Sequence, residues 1–115
     1  MTDPVVSIAT LPELLPGRHL LEGQNFGLGH LTLVLGESPP GQVAPLHRHD
    51  YEEIFIIHAG RGTYTLGETT VEAGPGEVVI IPANVPHRFA NHGEESLHHS
   101  AVHATGTFVM EVLEG

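Results

Sequence analysis

The sequence contains no cysteine and no tryptophan, and its four basic residues are all arginine. The absence of cysteine excludes disulfide bonds, thiolate nucleophiles and cysteine-ligated zinc sites. Imidazole and carboxylate groups are therefore left as the side-chain ligands for any metal ion.

Basic residues are also scarce relative to acidic ones, since 14 Asp and Glu residues give a formal net charge of −10. Such a chain repels phosphate backbones, and we expect no nucleic-acid partner. The sequence has no apolar run of the ~18 residues that a membrane-spanning helix requires. Its first residues, Met-Thr-Asp-Pro, lack the basic region and the apolar core of a secretion signal. The expectation is a cytoplasmic protein without a membrane partner.

Glycine and proline are abundant, with 14 and nine residues in a chain of 115. This length suffices for one domain, and so many turn-forming residues favour short strands over long helices. One helix-like fragment, at 11–15, is too short to be more than a turn or a flap. The runs predicted as strands are 31–35, 54–58, 62–66, 69–72, 78–81, 87–90, 97–104 and 107–113. This pattern predicts an all-β sandwich or barrel of antiparallel strands.

Ten histidines are the main compositional anomaly. His47 and His49 are spaced i, i+2, so both imidazoles project from the same face of a strand. Glu53 follows four positions later, about 13 Å from His49 if the chain stays extended. Metal–ligand bonds are about 2 Å long, so the three residues share an ion only if the chain bends at 50–52. Asp50 is a residue type that favours such a bend.

A second cluster lies further along the chain, where a buried strand at 78–81 leads into the turn Pro-Ala-Asn-Val-Pro. Asn84 is the residue of this turn that best tolerates a left-handed backbone. His87 follows directly and begins the next strand. A histidine held between a rigid proline turn and a strand is a well-fixed ligand candidate.

Two spaced motifs combine these residues. The first has Gly41, five residues, His47-Arg48-His49, three residues, Glu53, six residues and Gly60; the second has Gly76, five residues, Pro82-Ala83-Asn84, two residues, His87, three residues and Asn91. In order and spacing they resemble the two signature motifs of the cupin superfamily, and the short segment between them is similar to that of small single-domain microbial cupins. The sequence has Asn84 where the family usually has glycine. The resemblance covers about residues 30–113.

The resemblance implies a double-stranded β-helix, or jelly-roll barrel, over residues 30–115, with residues 1–29 as an N-terminal arm and first strand region that packs on it. It implies that the metal ligands are His47, His49, Glu53 and His87. Three imidazoles and one carboxylate suit one divalent first-row ion, and Mn, Fe, Ni, Cu, Co and Zn all remain open. A cupin that keeps these residues but works without metal is the alternative.

Three further histidines lie in the predicted strand 97–104. His99 and His103 share one face with Leu97 and Ala101, whereas His98 lies on the other face. His99 or His103 could therefore lie inside the barrel as a hydrogen-bond partner of the metal ligands or as a proton shuttle. The alternative is a set of surface or interface histidines, and the pattern does not choose between the two.

The sequence leaves several functions open. The resemblance favours a metal-dependent, dioxygenase-like oxidoreductase acting on a small aromatic, enol or diketone-like molecule. A non-redox cyclase, isomerase or decarboxylase, and a barrel that binds a ligand without catalysis, are the alternatives. Phe55, Ile57 and Phe89 are candidates for the wall of a substrate pocket, or else ordinary core. A homodimer is expected from the family, with the apolar alternation at 31–35 as a weak candidate interface.

Overall fold

The computed structural model describes residues 4–114, so residues 1–3 and 115 of the predicted arm and barrel lie outside the described residues. Two short 3-10 segments occur at Ile8–Thr10 and Gly23–Phe26. The described strands are β1 Glu13–Leu15, β2 Arg18–Leu21, β3 Thr32–Ser38, β4 Leu46–Arg48, β5 Glu53–Ala59, β6 Gly62–Leu66, β7 Thr69–Ala73, β8 Val78–Ile81, β9 His87–Ala90, β10 Leu97–His103 and β11 Glu111–Glu114.

These strands form two antiparallel sheets. Six strands pair in the order β1-β2-β3-β10-β5-β8, and five pair in the order β11-β4-β9-β6-β7. The predicted all-β jelly-roll architecture is confirmed. Across the described residues, no helix is long and apolar enough to cross a membrane.

The core lies between the two sheets and follows the alternation of strand side chains. In β5, Phe55 and Ile57 are buried while their neighbours are more exposed, and in β8 Val79 and Ile81 point inward. In β10 every second residue is buried, so His99 and His103 face the interior. The period of two therefore decides which imidazoles enter the barrel.

The segment at 11–15 corrects the sequence-based interpretation. Instead of a helix-like turn, its last three residues form β1, which pairs with β2 in a hairpin. Gly17 makes the hairpin possible, because it adopts a φ of +81° and an added Cβ would lie 2.4 Å from the carbonyl oxygen of Glu37,. β2 then pairs with β3 and carries Arg18 into the interior, a placement that no local pattern had indicated.

The C-terminal strand is shorter than the sequence predicted. The predicted strand at 107–113 is β11, which begins only at Glu111, and the chain before it carries Phe108 against the core. β11 pairs with β4, and β4 pairs in turn with β9. The two short strands that carry predicted ligands are thus held side by side.

Candidate metal centre

Strand pairing brings the two histidine motifs together. His47 of β4 lies directly opposite His87 of β9. After β4 the chain bends at residues 50–51, as predicted, and Glu53 begins β5. Asn84 has a φ of +67°, and its N–H donates to the carbonyl oxygen of His49 at 2.7 Å. Asparagine therefore supports the left-handed turn before His87 and ties it to the first motif.

The four predicted ligands form one cluster. One ligand atom from each of His47, His49, Glu53 and His87 lies within 4.8 Å of the other three. His49, Glu53 and His87 are buried, and His47 is half-buried. Bonds of about 2 Å place the ligand atoms of one ion up to about 4 Å apart, so movements of less than an ångström complete the set.

Backbone hydrogen bonds fix the orientation of all three imidazoles. The Nδ1–H of His47 donates to the carbonyl oxygen of Pro45 at 2.8 Å, that of His49 to Tyr51 at 2.9 Å, and that of His87 to Val85 at 2.8 Å. A neutral imidazole with hydrogen on Nδ1 carries its lone pair on Nε2. Each ring therefore presents an Nε2 lone pair to the cluster.

Two ring nitrogens share one carboxylate oxygen in the cluster. The Nε2 atoms of His49 and His87 lie 2.8 and 3.1 Å from the same carboxylate oxygen, Oε1 of Glu53. A lone pair on nitrogen and a carboxylate oxygen repel each other at such distances unless a proton or a metal ion lies between them. One divalent ion satisfies both nitrogens and the carboxylate, so the donor set fits a metal.

Protonation states agree with this interpretation. Burial by itself raises the pKa of Glu53, but the neighbouring imidazoles of His103, His49 and His87 outweigh it and hold the pKa well below its ordinary value. Burial lowers the pKa of His47. Glu53 is thus a carboxylate and His47 a neutral imidazole at neutral pH, which are the forms that bind metal.

His103 supports the carboxylate from the neighbouring strand. It pairs with Glu53 across β10 and β5, and its Nε2 lies 3.2 Å from Oε2 of Glu53. Its Nδ1 lies 3.0 Å from the hydroxyl of Tyr51, which donates to the carbonyl oxygen of Val109 at 2.9 Å. The ring of Tyr51 also stacks on that of His49 at 4.1 Å. The sequence did not indicate where the side chain of Tyr51 lies. Its position two residues after His49 was the one feature that could have indicated a place beside the ligands.

The other two histidines of β10 lie away from the cluster. His99 is buried between Tyr64, whose hydroxyl lies 2.8 Å from Nδ1, and Ser38, whose Oγ lies 2.9 Å from Nε2. Burial lowers the pKa of His99 to about 2, so the ring is neutral. His98 is on the outside, where its Nε2 lies 3.1 Å from Glu37.

A cavity of about 170 Å³ adjoins the cluster. Of the residues predicted to wall a pocket, Phe55 and Phe89 line it, whereas Ile57 is packed in the core. The polar lining of the cavity comes from His47, Glu53, His103 and Arg18. The other walls of the cavity are formed by Leu14, Leu15, Val34, Ala44, Pro45, Ala101, Phe108 and Met110. Arg18 is the polar lining residue that no sequence pattern indicated.

The chain is similar in sequence to known proteins. A family model described as a cupin domain matches residues 34–103. Auxin-binding protein 4 of Zea mays is 41% identical over 64 residues, which are 48% of this chain and 31% of that protein. The dimethylsulfoniopropionate lyase DddQ of Ruegeria pomeroyi is 34% identical over 67 residues, 57% of this chain and 33% of that protein. The matches thus span about a third of the length of these relatives.

The fold is shared with a solved structure of similar size. A protein from Klebsiella pneumoniae with a double-stranded β-helix domain superposes with a TM-score of 0.77 at 20% identity, covering 99% of this chain and 100% of that one. At this identity the likeness concerns the fold alone. The family model covers more than half of the chain and contains all four predicted ligands, and the protein therefore belongs to the cupin family.

Proposed function

We propose that the protein is a metal-dependent enzyme that converts a small molecule bound inside the barrel. The observation that carries this proposal is the convergence of imidazole Nε2 atoms on the Glu53 carboxylate, beside a cavity that Glu53 and His47 help to line. The nitrogen and carboxylate donors suit a divalent Mn, Fe, Ni, Cu, Co or Zn ion. When bound, such an ion supplies Lewis acidity or a redox couple at the cavity wall.

The first reaction class is that of an oxygenase or another oxidoreductase acting on a small aromatic, enol or diketone-like molecule. Phe55, Phe89 and Phe108 give the cavity aromatic walls, and the rings of Phe55 and Phe89 meet edge to face at 5.8 Å. Aromatic surfaces of this kind favour a planar, apolar substrate. Two residues of the ligand cluster, His47 and Glu53, line this cavity, so a molecule bound there lies next to the cluster.

A non-redox lyase or decarboxylase is the second candidate, and the position of His103 favours it. His103 lines the cavity, and the hydroxyl of Tyr51 orients its ring through Nδ1. An imidazole in this position can accept a proton from a bound molecule or return one to it. The relative named as a dimethylsulfoniopropionate lyase supports the same class.

Metal analysis of the purified protein, followed by turnover assays with and without dioxygen, tests the proposal. We expect one ion per chain and oxygen consumption with members of a panel of catechols, enols and diketones. Turnover that persists under strict anaerobiosis would assign the second class. Ligand binding without turnover would assign a binding barrel, and failure to take up any of the six ions would overturn the metal site.

A further inference from the structure

Arg18 differs from the other three arginines of the chain. Arg48, Arg61 and Arg88 are at the surface, where each lies within 4.0 Å of a glutamate. Arg18 is 1% exposed and forms no ion pair with any carboxylate among residues 4–114. Its Nη1 donates to the carbonyl oxygens of Gly36 and His99, and its Nη2 donates to that of Val34. Its Nε–H has no partner in the described part of the chain.

A buried guanidinium without a counter-ion is costly, because carbonyl dipoles replace only part of its hydration. Burial lowers the pKa of Arg18 to about 10, which still leaves it a cation at neutral pH. An apolar side chain of similar volume would fill the space at lower free-energy cost. Three backbone carbonyls and the ring of Phe89, whose centroid lies 5.7 Å from the guanidinium carbon, stabilise the cation, but they leave its charge unneutralised,.

The charges around the cavity indicate a further role for Arg18. Glu53 is the one acidic residue among the described residues that line it. With a divalent ion on the cluster, the ion and Arg18 together outweigh Glu53 by two positive charges in a space that is otherwise apolar. An anion bound there offsets this surplus. The net charge of −10 gives no long-range attraction for anions, so their selection has to come from inside the barrel,.

We propose that Arg18 makes the cavity selective for a small organic carboxylate with an apolar body. The charge of Arg18, which lines the cavity, acts on the carboxylate, while Phe55, Phe89 and Phe108 contact the rest of the molecule. The cavity volume of about 170 Å³ restricts the ligand to a small molecule. This inference rests on the proposed function, because it names the substrate class of the same site.

The test compares benzoate with benzamide and isobutyrate with isobutyramide, pairs that differ mainly in charge. Binding is measured by isothermal titration calorimetry on the metal-loaded and the metal-free protein. Arg18→Met removes the charge at similar volume, and Arg61→Met is the matched surface control. We expect the acids to bind more tightly than the amides, and Arg18→Met to weaken binding of the acids about 10- to 100-fold. Arg61→Met should have no effect.

Metal content, measured on the same samples, separates the two proposals. If Arg18→Met keeps its ion and its affinity for the acids, the role of Arg18 is refuted while the metal enzyme stands. If the wild-type protein holds no ion, the metal enzyme is refuted, and the metal-free titrations still decide on Arg18. Should Arg18→Met fail to fold by circular dichroism, Arg18→Lys replaces it. Arg18→Lys should retain a preference for the acids, and loss of that preference would contradict the charge-based selection.

Discussion

At the residue scale, local hydrogen bonds orient the imidazoles of the ligand cluster. Each of the three imidazoles donates its Nδ1–H to a carbonyl oxygen only two residues away along the chain. These local bonds hold the rings so that their Nε2 atoms lie close to one another and to Glu53. Metal affinity should therefore depend steeply on each ligand.

Replacement of His87 with alanine should reduce bound metal to well below one ion per chain, because one of the Nε2 ligands is removed. The control is His98→Ala, since His98 is outside the barrel and contacts Glu37. Inductively coupled plasma mass spectrometry of the purified proteins measures the result. Full metal content in His87→Ala would contradict the assignment of the site.

His103→Gln should lower the affinity for metal about 10- to 100-fold, which is the usual effect of losing a partner that orients a ligand. The change removes the contact between His103 and Oε2 of Glu53 and leaves all four ligands in place. Competition with a chromogenic chelator measures the affinity. His58→Gln is the control, because His58 contacts Ser100 on the exposed side of the sheet. Equal affinities for the two variants would contradict this role.

At the scale of the elements, His99 connects the two sheets. Its ring nitrogens contact Ser38 of β3 in one sheet and Tyr64 of β6 in the other. Burial keeps the imidazole neutral in the folded protein. The connection is therefore a source of pH-dependent stability that is separate from the metal ligands.

The sign of this pH dependence follows from the lowered pKa. The pKa of His99 is about 2 in the folded chain and 6.5 as the ordinary value, so between these values only the unfolded chain binds the proton. The stabilisation is complete above pH 6.5 and decreases as the pH falls, by up to about 1.4 kcal/mol per pH unit,.

His99→Gln should reduce this slope by up to about 1.4 kcal/mol per pH unit, which corresponds to one proton taken up on unfolding. The reason is that an amide can hydrogen-bond but does not titrate in this range. Urea unfolding of the metal-free protein between pH 4 and 8, roughly the range in which histidine titrates, measures the slope. Identical slopes for the wild type and the variant would show that His99 is charged in the folded state.

At the scale of the whole molecule, the ligands come from β4, the bend after it, β5 and β9, and thus from both sheets. An ion bound to them links segments that are far apart in the chain. Removal of metal with EDTA should therefore lower the melting temperature, since the ion binds the folded chain and not the unfolded one. Differential scanning calorimetry measures the change. An unchanged melting temperature in a protein shown to carry metal would contradict this coupling.

The homodimer remains a prediction, and the strand order favours a different interface from the one expected. The expected interface at 31–35 overlaps β3, which pairs with β2 on one side and β10 on the other. β8 is an edge strand, and it exposes Val78 at 52% and Ile80 at 69%. We propose that a second copy covers this face, because an apolar edge strand favours pairing with its own symmetry mate.

Ile80→Glu should shift such a dimer towards monomer, since it places two carboxylates across the two-fold contact. Val109→Glu is the matched control, as Val109 is similarly exposed at 54% but lies in the loop before β11. Sedimentation equilibrium measures both. A wild-type protein that is monomeric at all concentrations would contradict the dimer.

The sequence by itself determined the β-strand pattern, the two motifs and the four ligand candidates. It could do so because these depend on local rules: side chains alternate along a strand, Asn84 and its prolines make a turn, and Glu53 can approach His49 only through a bend. The family followed from the spacing of the same residues. These features require no knowledge of which strands are neighbours.

Tertiary structure decided what depends on pairing between distant segments. His103 contacts Glu53 and His99 does not, although both face inward, because only His103 lies opposite Glu53 in the register of β10 and β5. Arg18 is buried because β2 pairs with β3 and delivers it between the sheets. Local periodicity carries no information about register or about the partner of a strand, and for that reason the charge of the cavity emerged only from the folded molecule.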